Sequence, residues 1–599
     1  MLGAFLEYWQ ANYPDVITGW NVQLFDMPDI HNRINRIMGE KFVKLLSPWK
    51  LVSQREIFIK GRKQFAIDTL GISCLDYLEL YKKFTYTNQE SYRLDHICSV
   101  ELNEKKLDHS EFDTFKEFYE NDWQKFIEYN IHDVRLVDKL DDKMKLIELA
   151  YTMAYDAKVN YEDAFSQVRM WDIYIYCELL KRKIAIPPKK EATKDAKYAG
   201  AYVKEPIPGF YDWVVSFDLN SLYPHLIMQY NISPETLQDS RHPSVTVDKI
   251  LEKQVKIDGE FAVCANGAQY TKEKHGFLPQ MMKKMYDSRV IFKKKMIKAK
   301  QQYEKTPTVE LMKEIARCNN IQMAKKISLN SAYGAIGNEH FRYYRLANAE
   351  AITLSGQVSI RWIENRMNGY LNKLLSTDKE DYVIASDTDS IYLNLGPLVN
   401  KFLSSKSGDK AAVVALLDKI CQEKLEPFIE RSYQELADYV SAYDQKMQMK
   451  RENIADRGIW TAKKRYILNV WDSEGVRYKE PKMKIMGLET ARSSTPAYFR
   501  DKLYAAFKII IGKTNDELIA FINDVRAETR ERPYDEVAFP RGVNNLAKYR
   551  HPTEIYQKGT PIAVRGALLY NYYVKKYKVE NKHPLIQEGE KIKFMYLKT

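Results

Sequence analysis

Apolar residues flank a short acidic turn in the stretch from Tyr382 to Leu395. Apolar runs that lead into and out of a tight polar turn predict a β-hairpin. Asp387 and Asp389 lie at its tip, two residues apart. Because like charges repel, we expect this pair to gain from a divalent cation, and carboxylate oxygens suit Mg²⁺. A lone D-x-D is more often an acidic turn that faces water, so residues elsewhere must decide between these interpretations.

The rest of the chain alternates between helical and strand-like patterns. Helical periodicity is predicted for residues 123–137, 141 to about 190, 276–338 (as a pair of helices), 347–368 and 504–525. Strand-like runs cover residues 15–21, 213–217, 458–470 and 484–490. The sequence Pro187-Pro-Lys-Lys190 breaks the helical pattern and predicts a linker. This mixture predicts a multidomain chain of the α/β and α+β classes.

Composition narrows the possibilities. The chain has 599 residues, of which 45% are apolar and 29% charged, which indicates folded domains, about four by length. A net charge of +12 favours a polyanionic partner. The six cysteines are scattered without a C-x-x-C, so we expect no zinc site, no disulfide framework and a reducing compartment. The sequence predicts no signal peptide and no membrane span.

Two further regions carry residue patterns that suit phosphate chemistry. A buried strand ends at Asp218 and a turn then opens a helix, so the backbone N–H groups of Ser221, Leu222 and Tyr223 would be free to bind phosphate. In the helical pair, Arg289 lies on the first helix. One face of the second helix carries Lys326, Asn330, Tyr333 and Gly334. A lysine-rich helix is usually only solvated, so spacing alone leaves both interpretations open.

The strings D-x-x-S-L-Y-P from Asp218, K-x-x-x-N-S-x-Y-G from Lys326 and D-T-D-S from Asp387 follow one another in this order. Together they resemble the replicative family B DNA polymerases of large tailed phages. The resemblance implies a template-directed DNA polymerase that adds deoxynucleotides to a primer 3′-end by two-metal phosphoryl transfer in phage DNA replication. It also implies a right-hand polymerase of palm, fingers and partial thumb, with a partial RNase H-like 3′–5′ exonuclease domain.

The same resemblance assigns roles to individual residues. It implies catalytic Asp218 and Asp389, which with the Leu219 carbonyl would hold two Mg²⁺ ions, and a nearby electrostatic or structural role for Asp387. Tyr223 would lie under the deoxyribose and reject a 2′-hydroxyl. The implied nucleotide-binding residues are Leu219, Ser221, Leu222, Tyr223, Arg289, Lys326 and Asn330. The implied contacts to primer–template DNA are Tyr333, Gly334, Lys463, Lys464 and Tyr466, the last three from a K-K-R-Y string.

The amino-terminal region resembles the 3′–5′ exonuclease of the same family in two places. Asp26 ends an N-x-x-x-F-D string that begins at Asn21, and Tyr129 and Asp133 form Y-x-x-x-D. In that family these acids hold metal at the scissile phosphate and the tyrosine positions water. The family's D-x-E, expected upstream of Asn21, is not found there. We therefore expect an incomplete, weak or inactive exonuclease, which a separate chain could complete.

The resemblance predicts six segments. These are a partial exonuclease domain (1–145), a helical connector (146–190), palm (191–275), fingers (276–338), palm again (339–487) and a truncated thumb (488–599). The sequence departs from the family pattern at His225, where serine is commoner, and at Ala385-Ser386, where Tyr-Gly is common. The fingers are short, and no aromatic tail follows Lys598-Thr599, so clamp binding through such a tail is not predicted.

Two other functions compete with this interpretation. A glycosyltransferase also uses D-x-D to hold a metal and a nucleotide diphosphate, but it does not need the strings at Asp218 and Lys326. An inactive or split-gene fragment that binds primer–template DNA and needs a partner chain is the stronger rival. Primer extension with Mg²⁺ separates them. For a phage polymerase we expect the cytoplasm of the infected bacterial host as the site of action.

Overall fold

The computed structural model describes residues 1–59, 62–85, 87–112, 114–189, 198–402, 409–512 and 514–596. Lys190 of the predicted linker and the end of the chain, Lys598-Thr599, lie outside these residues. The chain divides into two compact units. The first unit comprises Met1–Tyr151, Asn160–Phe165 and Glu489–Thr599, and the second comprises Thr152–Val159 and Ser166–Leu488.

The α-helices within these residues are α1 (Leu2–Ala11), α2 (Asp26–Met38), α3 (Glu40–Val43), α4 (Tyr77–Phe84), α5 (Leu94–Leu102), α6 (Phe115–Asn121), α7 (Trp123–Met144), α8 (Leu146–Ala157), α9 (Gln167–Lys181), α10 (Leu222–Gln229), α11 (Val247–Leu251), α12 (Phe277–Lys305), α13 (Val309–Ile336), α14 (Leu346–Leu375), α15 (Gly396–Phe402), α16 (Lys410–Ile420), α17 (Glu426–Tyr439), α18 (Ala497–Gly512), α19 (Asn515–Glu531), α20 (Tyr534–Val537), α21 (Leu546–Tyr549) and α22 (Ile562–Lys576).

The β-strands are β1 (Val16–Ile17), β2 (Val52–Ile59), β3 (Arg62–Thr69), β4 (Ser73–Cys74), β5 (Gly209–Leu219), β6 (Leu237–Arg241), β7 (Phe261–Val263), β8 (Ala268–Thr271), β9 (Val383–Asp387), β10 (Ser390–Asn394), β11 (Met449–Ala462), β12 (Arg465–Ser473), β13 (Val476–Met486), β14 (Phe539–Gly542) and β15 (Lys591–Phe594). This mixed α/β architecture agrees with the predicted fold class.

A six-stranded antiparallel sheet is the centre of the second unit, with strand order β13-β12-β11-β5-β10-β9. Its core face is apolar and aromatic because strands buried on one side place every second side chain there. The buried residues of this cluster are Val214, Ile384, Ala385, Tyr392, Ala455, Trp460, Tyr466, Leu468 and Val470. The predicted hairpin at residues 382–395 is confirmed as β9 and β10, which pair antiparallel.

The predicted helical pair is confirmed as α12 and α13. Thr308 begins α13, because its hydroxyl accepts a hydrogen bond from the Leu311 N–H. Helix α9 packs against α13, where the Trp171 indole donates to the Ser328 carbonyl at 3.1 Å and to the Ser331 hydroxyl at 3.2 Å.

The first unit contains only short sheets within its described residues. Strand β1 pairs parallel with β4, β2 pairs with β3 as a hairpin, and β14 pairs with β15. Asp122 begins α7 by accepting a hydrogen bond from the Lys125 N–H. The helical segment predicted at 504–525 is two helices, α18 and α19. Thr514 starts the second one in a reciprocal capping box with Glu517.

Two further features concern the hydropathy of the helices and the state of the cysteines. None of the helices in the described ranges combines the length and the apolarity that crossing a membrane requires. All six cysteines are free thiols, and burial raises the pKa of several of them, Cys74 and Cys98 to about 12.

Candidate active site

Asp218 and Asp389, the acid pair, lie side by side, Asp218 near the end of β5 and Asp389 in the turn immediately before β10. Asp218 is the penultimate residue of β5, and β10 pairs with β5 so that Ser390 lies opposite Asp218. The Leu219 N–H donates to the Asp389 carbonyl at 2.8 Å. Antiparallel pairing therefore brings together two acids that are 171 positions apart in the chain.

The acid pair carries an electrostatic penalty. Burial, together with repulsion by Asp389 and Glu452, raises the pKa of Asp218 from 3.8 to about 7. Burial also raises the pKa of Asp389, to about 6, and repulsion by Asp387 and Glu452 adds to it against an opposing backbone hydrogen bond. Two ionised carboxylates in such surroundings gain most from a cation placed between them.

Asp387 has a different environment from the acid pair. Its carboxylate accepts a hydrogen bond from the Thr388 hydroxyl at 3.1 Å and forms an ion pair with the Lys464 ammonium group at 3.1 Å. Asp387 thus already has a cationic neighbour from the turn between β11 and β12. This position suits an electrostatic or structural partner of the site.

Glu452 is a fourth acid at the site, after Asp218, Asp389 and Asp387, and the sequence did not reveal it. The pairing of β11 with β5 shifts register between Arg451 and Asn453, so Glu452 occupies a bulge. Bulges re-aim side chains near active sites. The Glu452 carboxylate accepts hydrogen bonds from the Ser216 hydroxyl at 3.2 Å and from Lys484 at 2.9 Å. No local motif marks Glu452, because only strand pairing brings it to the acid pair.

The start of α10 adjoins the acid pair. Ser221 adopts a left-handed conformation (φ 48°), and no side chain caps the helix. His225, one turn on, is buried; its Nδ1 lies 2.9 Å from the Ser221 carbonyl, and burial lowers its pKa. His225, the residue at which the sequence departs from the family pattern, therefore packs against the turn at Ser221.

Arg289 of α12 lies against the same turn. Its guanidinium donates to the Ser221 hydroxyl at 3.4 Å, while its buried Nε has no partner among the described residues. Burial lowers the pKa of Arg289. A half-buried cation with an unsatisfied donor fits an anionic ligand.

The α13 residues lie as the helical spacing predicts. Lys326 is half-buried and Asn330 is exposed. The Tyr333 ring lies 4.7 Å from the Tyr223 ring, and its hydroxyl lies 3.0 Å from that of Tyr198. Tyr198 lies in the loop before β5, so α13, α10 and this loop meet at Tyr333. Gly334 is exposed next to Tyr333.

The K-K-R-Y string forms the turn between β11 and β12. Lys463 pairs with Glu205 at 3.2 Å, whereas Lys464 pairs with Asp387. Tyr466 is buried, with its hydroxyl 2.8 Å from that of Tyr392. Gly487 is required here, because a Cβ at this left-handed residue would lie 2.0 Å from the Lys464 carbonyl oxygen.

The two predicted acids of the amino-terminal region, Asp26 and Asp133, have surroundings that differ from those of the acid pair. Asp26 is the first residue of α2, and burial raises its pKa. Tyr129 and Asp133 lie on α7, where the Lys106 ammonium group donates to the Tyr129 hydroxyl at 2.9 Å and to Asp133 at 2.5 Å. Burial alone would lower the pKa of Lys106, but Asp133 and Tyr129 raise it. Sequence reasoning missed Lys106, which lies outside any motif.

The donor set of the acid pair fits a hard cation. Among the residues that the structure describes, no group of three or more His, Cys, Asp or Glu side chains has a geometry that could hold a metal ion. Mg²⁺ is commonly bound by only one or two carboxylates together with substrate phosphates. The acid pair could provide those carboxylates, and Leu219, the residue after Asp218, could add a carbonyl.

Comparisons with known proteins give a consistent result. Residues 167–415 match the family model for DNA polymerase family B, and residues 1–97 match its exonuclease domain. The DNA-directed DNA polymerase of Escherichia phage RB69 is 36% identical over 99% of this chain and 70% of its own length.

A second phage enzyme and a eukaryotic one are also similar. The DNA-directed DNA polymerase of Enterobacteria phage T4 is 33% identical over 95% of this chain and 68% of its own length. The DNA polymerase delta catalytic subunit of Schizosaccharomyces pombe is 27% identical over 66% of this chain. None of these comparisons supports a separate chain that supplies exonuclease residues.

Proposed function

Because this chain belongs to the family B DNA polymerases, we propose that the acid pair is the site where it adds deoxynucleotides to a primer 3′-end. The observation that supports this proposal is the side-by-side placement of Asp218 and Asp389, each with a raised pKa. Family members depend in general on divalent metal, and two half-buried acids that repel each other are suited to bind it.

The residues that would hold two Mg²⁺ ions are Asp218, Asp389 and the Leu219 carbonyl. When bound, the metal supplies positive charge to the attacking and leaving oxygens of an in-line phosphoryl transfer. Asp387 is held by Lys464 and would shape the local field. Glu452 lies close enough to raise the pKa of both acids, and we assign it to orienting the pair through Ser216 and Lys484.

The triphosphate would bind between α10 and the fingers. Arg289 offers an unsatisfied N–H, and the first amides of α10, from Ser221 to Tyr223, have no side-chain cap. Lys326 and Asn330 face the same side of α13. Preorganised cations of this kind stabilise the charge that spreads over the phosphoryl oxygens in the transition state.

The sugar and the nascent base pair would lie on the two tyrosines. Tyr223 packs against Tyr333, so its ring is held in place, and a 2′-hydroxyl would meet this ring. Burial raises the pKa of Tyr223, and repulsion by Asp389 adds to the effect. Tyr333 and Gly334 would contact the base pair without reading its sequence.

Primer–template DNA and deoxynucleoside triphosphates are the partners that the family implies. We propose that Lys463 and Lys464 contact the duplex, mostly at its backbone. Tyr466, for which a DNA contact was also predicted, is buried against Tyr392 and would hold their turn in place instead. The net charge of +12 favours such a polyanion. The likeness to phage enzymes suggests the cytoplasm of the infected bacterial cell as the place of reaction. The division into exonuclease, connector, palm, fingers and thumb segments stays a prediction.

In the amino-terminal region, Asp133 already has a cationic partner in Lys106. A two-metal exonuclease site needs more carboxylates than Asp26 and Asp133. These two acids by themselves would therefore not hold a pair of exonuclease metals.

Primer extension tests the proposal. The purified chain is incubated with a primer annealed to two templates of different sequence, four deoxynucleoside triphosphates and Mg²⁺. We expect products whose sequence follows each template, and none in EDTA. Tight binding of primer–template without extension would instead support the inactive fragment, an alternative that the phage relatives do not favour. Reaction with a nucleotide sugar in place of DNA would support a glycosyltransferase.

A further inference from the structure

The turn that carries Asp389 has a strained backbone. Thr388 adopts a left-handed conformation with φ 60°, which is a true outlier for a β-branched residue. The Asp389 N–H closes the turn by donating to the Asp387 carbonyl at 2.6 Å. Conformations of this kind persist only when the surrounding structure holds them.

A neighbouring segment, Gly200–Lys204, lies along this turn, and we call it the brace. The Thr388 N–H donates to the Tyr202 carbonyl and the Lys204 N–H donates to the Ser386 carbonyl, each at 3.0 Å. Val203 forms an antiparallel bridge with Asp387. Since β9 is the edge strand of the six-stranded sheet, the brace covers this edge beside the acids.

One face of α14 holds the brace along its length. The Gln357 amide donates to the Gly200 carbonyl at 2.6 Å, and the Arg361 guanidinium lies 5.4 Å from the centre of the Tyr202 ring. Glu364 forms an ion pair with Lys204 at 2.8 Å. The spacing of these helix residues, i, i+4 and i+7, puts all three on one face.

The Glu364–Lys204 pair reaches the catalytic turn directly. The Glu364 carboxylate accepts a hydrogen bond at 3.3 Å from the hydroxyl of Ser386, which is 1% exposed and precedes Asp387. Asp381 also pairs with Lys204, at 2.7 Å. Burial alone would lower the pKa of Lys204, but Asp381 and Glu364 raise it, so the lysine stays charged. Ser386 is one of the two residues by which this turn departs from the family pattern.

We propose that Lys204 and Glu364 are positioning residues for nucleotide addition. They fix the brace, and the brace holds the strained turn so that Asp389 stays beside Asp218. This inference rests on the proposed function of the acid pair. Small displacements of reacting groups are costly, since about 1 Å can reduce a rate by about a hundredfold. Partial loosening of the turn should therefore slow chemistry before it unfolds the protein.

Rapid-quench incorporation of one nucleotide tests the inference. With primer–template in slight excess over enzyme, the burst amplitude reports the fraction of active enzyme and the burst rate reports the chemistry. We expect Glu364→Gln and Lys204→Met to lower the burst rate about tenfold at saturating nucleotide, with unchanged amplitude. Lys204→Arg keeps both ion pairs, and its rate should stay within about threefold of the wild type.

Glu435→Gln is the matched control. Its partner Arg366 also lies on α14, but their ion pair joins α14 to α17, so the wild-type rate and amplitude are expected. Wild-type rates in Glu364→Gln and Lys204→Met, or a loss of amplitude at the wild-type rate, would overturn the positioning role. An equal rate loss in Glu435→Gln would also overturn it. If the wild type incorporates no nucleotide at all, the proposed function fails instead.

Discussion

In the six-stranded sheet Asp218 and Asp389 lie beside each other, whereas in the amino-terminal unit Asp133 lies against the ammonium group of Lys106. Both regions place acids where a polymerase of this family is expected to hold metal. In the first region burial raises the pKa of both acids, and repulsion by Asp389 adds to the effect at Asp218 while repulsion by Asp387 adds to it at Asp389. In the second region, a lysine already compensates the charge of Asp133.

The difference shows why a motif match alone does not define a metal site. Asp218, Asp389 and Asp133 are equally prominent in their sequence strings. Of these three acids, Asp218 and Asp389 each have a like-charged neighbour that adds to a raised pKa, and a cation would relieve this repulsion. We therefore propose that the acid pair, and not Asp133, holds the metals for nucleotide addition.

The largest effect is expected from Asp218→Asn. Removal of one carboxylate of the acid pair should lower the rate of nucleotide addition about a thousandfold, as removal of one preorganised electrostatic group does elsewhere. Asp212→Asn, at the other end of β5, is the matched control and should keep the wild-type rate. The rates are measured by single-turnover primer extension. If Asp218→Asn lowers the rate by less than tenfold, the proposed difference between the two regions is wrong.

The two regions should also differ in the sign of a stability effect. In EDTA, Asp389→Asn should stabilise the fold at pH 8 by up to about 3 kcal/mol, because the folded-state pKa of about 6 exceeds the unfolded value of 3.8. The wild type loses this stability as the pH rises from about 4 through 6. The extra stability of Asp389→Asn relative to the wild type should therefore vanish near pH 4. Urea unfolding at several pH values measures it.

Asp133→Asn should change the stability in the opposite direction. It breaks the Lys106 ion pair, whose side chains are each 25% exposed, so it should cost about 1 kcal/mol at pH 8. Two variants with the same sign at pH 8 would remove the electrostatic distinction between the regions.

A smaller effect is expected from Arg289→Met. The Arg289 guanidinium would donate a hydrogen bond to the triphosphate, and the variant loses it. We expect the KM for the nucleotide to rise about tenfold to a hundredfold, which corresponds to the free energy of one hydrogen bond to a charged group. Steady-state extension at varied nucleotide concentration gives this number. Arg317→Met is the control, since Arg317 pairs with Glu314 on an exposed part of α13. An unchanged KM in Arg289→Met would remove Arg289 from the phosphate site.

The smallest effect should be a change in selectivity. Tyr223→Ala is expected to admit ribonucleotides at least about tenfold better than the wild type, since a ring that blocks the 2′-hydroxyl is lost. Tyr223→Phe keeps the ring and should keep the discrimination. Competition between ribo- and deoxynucleotides in primer extension measures both variants. If Tyr223→Ala selects deoxynucleotides as well as the wild type does, Tyr223 is not the sugar gate.

The sequence predicted the elements that carry strong local patterns. The hairpin at Asp387, the α12–α13 pair and the strand before Asp218 all follow from periodicity. The site residues that the sequence did not reveal are brought to the site by contacts with residues far away in the chain. Glu452 meets Ser216 across 236 positions, and Lys204 meets Glu364 across 160 positions. No local period encodes such contacts, because strand register and helix packing create them.

Manganese binding compares the two regions most directly. Mn²⁺ is titrated into a complex of the chain with a dideoxy-terminated primer–template and the next nucleotide, and free Mn²⁺ is followed by electron paramagnetic resonance. We expect Asp389→Asn to weaken the tightest binding at least about tenfold, and Asp133→Asn to leave it unchanged. Unchanged binding in Asp389→Asn, with a loss in Asp133→Asn, would contradict the assignment of the catalytic metals to the acid pair.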